Sequence, residues 1–332
     1  MSNNESIRGI IKSIIPALKN ESQSKEVDGH FSYTQQRAMI NQIFSTTSGE
    51  KNYNVSAIML RLIVIDSLYS TNAAYSYFSF EEMAEKINNL GTEKNAAEYF
   101  YDLVKQKMSD SQKLFSTNYG IRKNLTAGSK QMSLMSKYAY YVLLQNPDEY
   151  PLGFPIYDSL AIEMYPKVCE KLGVVCDKKI KNQNNSIIIE QYIEALNRVR
   201  QAIFDEDNNT DFEGYQQYDL LDAYLWRMGK LDNGNYSLLF DKTQYKCFIK
   251  NIALDEEDDE KLYKKFKPNL VKKIVIQKKD AQKVKYDYDF NKLVRHQCKI
   301  KDTKDILKGI ENNDGMSIMI EHWKNFYNIN NL

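Results

Sequence analysis

Residues 133–158, SLMSKYAYYVLLQNPDEYPLGFPIYD, decide how the chain is read. Lys137 opens an apolar run to Gln145 that suits a helix, and Pro147, Pro151, Gly153 and Pro155 end it. The prolines force an extended passage to Asp158, and an aspartate ahead of Ser159-Leu160 is a favoured helix N-cap. Lys137 and Asp158 are therefore either two charges at helix ends or a nucleophile and its electrostatic partner.

Outward from this stretch, most of the chain reads as helix. Toward the N-terminus, residues 6–18 space isoleucines and leucines at helical intervals, 33–44 repeat the pattern more weakly, and 52–69 form the first strongly buried helix. Ser79 with Glu82 three residues on is a capping-box start, and 96–108 is another amphipathic helix. Toward the C-terminus, 159–172, 186–204 and 218–228 are helical, with Gly229 as a stop. Beyond residue 230 the character changes. Residues 236–252 and 271–288 carry β-branched and aromatic residues with partial alternation, and a last helix carries Met319, Trp323 and Phe326.

Composition agrees with a mainly α protein. Only 13 Gly and 6 Pro occur in 332 residues, too few for a loop-rich β fold, and 42% hydrophobic with 27% charged residues is ordinary globular usage. The net charge of +1 conceals an uneven distribution. The acidic run 255–260 precedes a lysine-dense segment, Lys261 to Lys285, interleaved with Tyr263, Phe266, Tyr286 and Tyr288, a mixture suited to phosphate contact and base stacking or to a protein partner. Cys169, Cys176, Cys247 and Cys298 form no CxxC and do not cluster with the three histidines, so no metal or other cofactor is expected. The polar start and the arginine-broken apolar run 57–68 indicate no signal peptide and no membrane span; the reading is a soluble, cytoplasmic protein with reduced thiols.

The segment 133–165, SLMSKYAYYVLLQNPDEYPLGFPIYDSLAIEMY, resembles the core of the helix-hairpin-helix DNA glycosylase superfamily, particularly its 8-oxoguanine glycosylase branch. In that branch a lysine opens the second hairpin helix and an aspartate follows a V/I-x-D turn at a similar distance. The match falls on Lys137 and Asp158, separated by 158 − 137 = 21 positions. Residues 69–87, YSTNAAYSYFSFEEMAEKI, resemble the turn whose asparagine fills the space of the extruded base; Asn72 is the best match, ahead of Asn88 and Asn89. Residues 218–230, YDLLDAYLWRMGK, resemble the late helix of the base pocket, which places Asp222 at the base edge and Trp226, one turn on, against its face. The family's hairpin glycines are replaced by Met132-Ser133-Leu134-Met135-Ser136, so Ser133 and Ser136 become the candidates for binding a phosphate at the helix start.

The resemblance covers residues 50–230 and implies a two-lobed helix-hairpin-helix core at 49–232, after an N-terminal helical extension at 1–48 and before a lysine-rich C-terminal extension, mixed α+β, at 233–332. It implies a DNA N-glycosylase with AP-lyase chemistry that flips and excises a modified base through Lys137 and Asp158. Such glycosylase-like proteins also resemble components of bacterial anti-phage defence loci, which makes a modified base in invading DNA a reasonable target. Asp222 as a carboxylate accepts hydrogen bonds only, which favours a base edge bearing N–H groups. The missing glycines keep two alternatives open: a nucleoside or nucleotide N-glycosidase on the same scaffold, and a non-catalytic module binding modified nucleic acid or a protein.

Overall fold

The computed structural model describes residues 7–15, 33–49, 52–69, 79–105, 113–117, 119, 131–176, 188–204, 212, 214–233, 271–278, 281–288, 319, 322 and 325–326. The chain divides into two compact units, one drawn chiefly from Phe31–Trp226 and the other chiefly from Arg227–Leu332. The described residues are mainly helical.

Helix α1 covers residues 7–15. It is followed by α2 (Tyr33–Thr46), α3 (Val55–Tyr69), α4 (Phe80–Asn88), α5 (Glu93–Val104), the short α6 (Lys113–Ser116), α7 (Met132–Leu144), α8 (Ser159–Leu172), α9 (Ile188–Ile203) and α10 (Gln217–Asn233). Local chemistry sets several boundaries. Ser79 caps α4, its hydroxyl accepting from the Glu82 amide at 3.1 Å, as the capping-box reading expects. Thr92 caps α5 through the Asn95 amide, so that helix begins earlier than its apolar periodicity suggests. Asp158 caps α8, and Gly173 ends it in the left-handed conformation. Gly229, expected as a stop, lies inside α10, where a glycine costs only about 1 kcal/mol and does not by itself break a helix.

Helix α7 is the centre of the first unit. Met132 and every residue from Leu134 to Val142 and Leu143 are buried, because α2, α3, α5 and α6 all pack against it. Its aromatic rings interlock with neighbours: Tyr138 meets Phe44 at 5.5 Å and Phe100 at 6.2 Å between centroids; next to them Phe154, from the segment before α8, stacks on Phe115 of α6 at 5.7 Å. Arg61, which interrupts the apolar face of α3, is fully buried. Its guanidinium is satisfied by the Glu93 carboxylate at 2.6 Å, Thr47 Oγ1 at 2.8 Å and the Phe44 carbonyl at 3.0 Å. Arg37 on α2 pairs with Asp219 on α10 at 2.5 Å, and Tyr140 on α7 donates to the same carboxylate at 2.8 Å. Residues of α2 are therefore joined by polar contacts to the helices carrying the matched motifs.

The connection from α7 to α8 is fixed against the start of α10. Gln216 donates to the carbonyls of Leu143 at 2.9 Å and Tyr150 at 2.8 Å. The Gln217 and Tyr218 amides donate to the Pro151 and Leu152 carbonyls. Gly153 adopts φ +70°, and a Cβ there would stand 2.8 Å from the Gln216 amide oxygen, so both conformation and space call for glycine.

In the second unit, β1 (Val271–Lys278) and β2 (Ala281–Tyr288) pair antiparallel, with Val271 opposite Tyr288 and Lys278 opposite Ala281. The strand reading of residues 236–252 and the lysines from 261 to 267 lie outside the described residues.

Candidate active site

Lys137 does not open its helix. α7 begins at Met132, which places the lysine in the second turn, and only 3% of its surface is exposed. A lysine side chain on a helix leans toward the N-terminus, and here it reaches one turn back so that Nζ donates to Ser133 Oγ at 2.6 Å. The ammonium position also lies 5.3 Å from the centre of the Tyr69 ring on α3. Burial pulls the Lys137 amine below its ordinary pKa, while Asp158 and, after it, Asp222 pull it back up. Two carboxyl groups therefore share the electrostatic environment of one buried amine.

Asp158 enters this environment through a rigid turn. Its carboxylate accepts from the Ala161 amide at 2.7 Å, which fixes the side chain at the start of α8. The preceding peptide is held from two sides: Tyr157 N–H donates to Ser136 Oγ at 2.9 Å, and the Ile156 carbonyl accepts from Tyr192 on α9 at 2.7 Å. Tyr157 and Tyr192 also meet edge to face at 5.1 Å. Capping and a catalytic role are compatible here, because the cap immobilises the carboxylate.

Asp222 is 6% exposed. Its pKa is raised well above the carboxylate range, first by burial and then by Asp158, with Asp219 adding to the effect and Arg37 and Lys137 opposing it. This alters the sequence expectation for Asp222. Where the environment favours the protonated form, the group donates as well as accepts. Trp226 follows one turn later on the same helix and is half-buried.

The two serines have different surroundings. Ser136 is completely buried, and its hydroxyl donates to the Ser133 carbonyl at 3.0 Å while accepting from Tyr157. It therefore braces the turn before Asp158 and has no open side for a phosphate. Ser133 is partly exposed and holds the lysine amine. Asn72 lies outside the described residues, whereas Asn88 ends α4 and Asn89 is its C-cap. Residues 118 and 120–130, ahead of α7, also lie outside them. Ser136 as a brace, Tyr69 and Tyr192 were missed in the sequence, where nothing distinguishes them from other polar and aromatic helix residues.

Among the described residues no group of three or more His, Cys, Asp or Glu side chains could hold a metal ion. No described helix is long and apolar enough to cross a membrane. No family model, curated protein or solved structure matches the chain.

Proposed function

We propose that the chain is an N-glycosylase of helix-hairpin-helix type acting on a modified base in DNA, with Lys137 as nucleophile and Asp158 as its electrostatic partner. The observation that carries this reading is the buried Lys137 amine, held below its ordinary pKa beside a helix-capping aspartate on a braced turn. A solvated lysine would need none of this.

The amine lone pair attacks C1′ of the flipped nucleotide while the glycosidic C1′–N bond breaks and its electrons leave with the base. Positive charge grows on the sugar, and Asp158 opposes it from a fixed position. A proton passes from the attacking nitrogen to the departing base, which leaves neutral. The resulting aminal opens to a Schiff base, from which β-elimination nicks the strand 3′ to the site and hydrolysis frees Lys137. Asp222 and Trp226 would read the base, the first by a donor and an acceptor and the second by stacking. The lysine-dense segment from Lys261 to Lys285 would contact phosphates.

Borohydride treatment of the protein with oligonucleotides bearing modified bases tests the proposal. A covalent protein–DNA adduct is expected, and Lys137→Ala abolishes it. No adduct on any duplex or single strand would count against this chemistry, and release of base from free nucleosides would move the substrate to that class.

A further inference from the structure

We infer that Ser133 is the positioning residue for the Lys137 amine, its hydroxyl fixing the direction in which the nitrogen lone pair points. The inference rests on the glycosylase reading for what the amine attacks, but the serine–lysine pairing itself does not depend on it.

Ser133 and Lys137 lie one turn apart on the same face of α7, and the Nζ–Oγ distance is 2.6 Å. A lysine chain in water has many rotamers, and a terminal amine rotates freely about its last bond. Burial against α3 and a single N–H donated to Oγ remove most of that freedom before substrate arrives. The groups acting on the amine come from three other elements: Asp158 at the start of α8, Asp222 on α10, and the Tyr69 ring on α3. The carboxyl groups bias its charge, whereas Ser133 is the direct hydrogen-bonding partner that sets its orientation.

The same serine joins the amine to the aspartate. Lys137 Nζ donates to Ser133 Oγ, the Ser133 carbonyl accepts from Ser136 Oγ, and Ser136 Oγ accepts from the amide of Tyr157, the residue before Asp158. Nucleophile and carboxylate are thus placed by one hydrogen-bonded series anchored in the first turn of α7. During attack one N–H remains on Ser133 Oγ, and the surplus proton on nitrogen goes to the departing base, giving neutral base and aminal. A serine where the resembled hairpin carries glycine would then serve the lysine rather than the phosphate.

The test uses the full chain, with Ser133→Ala and Ser133→Thr beside wild type. The first measurement follows the 13Cε resonance of Lys137 against pH, assigned by its loss in Lys137→Arg. Removing the Oγ acceptor destabilises the ammonium more than the amine, so Ser133→Ala should move the titration to lower pH and Ser133→Thr should restore it. The second measures borohydride trapping on abasic-site oligonucleotides, single-stranded and duplex, against pH. Ser133→Ala should lower the plateau rate roughly tenfold and shift the acid limb in the same direction as the titration, with recovery in Ser133→Thr. A change in folded amount alone would leave the limb in place. Superimposable Lys137 titrations in wild type and Ser133→Ala would overturn the assignment, as would failure of threonine to restore either readout. If wild type gives no adduct while the titration moves as expected, the glycosylase reading falls and the role of Ser133 stands.

Discussion

Ser136 Oγ accepts the Tyr157 amide proton at 2.9 Å, so the residue before Lys137 holds the residue before Asp158. This single contact joins the two halves of the motif across a proline-rich loop. Ser136→Ala leaves the part-buried Tyr157 N–H without that acceptor, while the Ser133 carbonyl keeps its main-chain bond within α7, and a loss of about 0.5–1.5 kcal/mol is expected by denaturant titration. Adduct formation on an intact modified base should fall further than that on an abasic site, because Asp158 loses its support while the amine does not.

Asp158→Asn separates the roles of cap and catalyst. Asparagine caps a helix nearly as well as aspartate, so the thermal midpoint should move little. It carries no charge to oppose the oxocarbenium-like sugar, and excision of an intact base should drop about 10²–10³-fold. Trapping on a pre-formed abasic site, where the glycosidic bond is already broken, should survive within a few-fold. Equal losses on both substrates would contradict this division of labour.

Lys137→Met should yield a more stable and inert protein. Burial disfavours the ammonium more than Asp158 and Asp222 favour it, so replacing it with an apolar chain of similar length relieves a net cost at neutral pH. Asp222, whose raised pKa favours its neutral form, tolerates the loss of the cation. A rise of about 2–4 °C in the melting midpoint is expected, with no borohydride adduct. A fall in the midpoint would mean that the lysine contributes to stability.

Asp222 links stability to pH in the opposite sense from a salt-bridged carboxylate. Its folded pKa lies above its unfolded one, so between the two the native state binds more protons and stability falls as pH rises. The decline begins near the unfolded value of about 3.9 and ends once pH passes the folded value. Denaturant midpoints measured across this range should slope downward in wild type and flatten in Asp222→Asn. An unchanged slope would assign the pH dependence to other groups.

Much of the helical framework was legible because its signals are local. Ser79 and Asp158 each mark a helix start by their own chemistry, and the limits read for α8 agree with the structure. The helix carrying Lys137 was read as starting at the lysine, whereas it begins at Met132, ahead of which Gln131 makes no side-chain cap hydrogen bond. The apolar neighbours Leu134, Tyr138 and Tyr141 already suit burial of Lys137, but the approach of the Tyr69 ring to its amine was not legible, because that ring comes from a helix far off in the chain. Likewise, Asp222 reads as an ordinary acceptor until its neighbours are known, and only then does a donor become available. Serines at 133 and 136 looked alike, yet one faces the amine and the other is sealed beneath the turn.

The clasp of Gln216 on the Leu143 and Tyr150 carbonyls bears on how the segment between α7 and α8 opens. By composition residues 145–158 resemble a connector that a protease would find first. With both margins tied to α7 and α10, such opening requires the surrounding helices to separate as well. The Tyr157 amide should therefore exchange its hydrogen at the pace of global unfolding, and nicking of this segment should track loss of the whole unit rather than precede it.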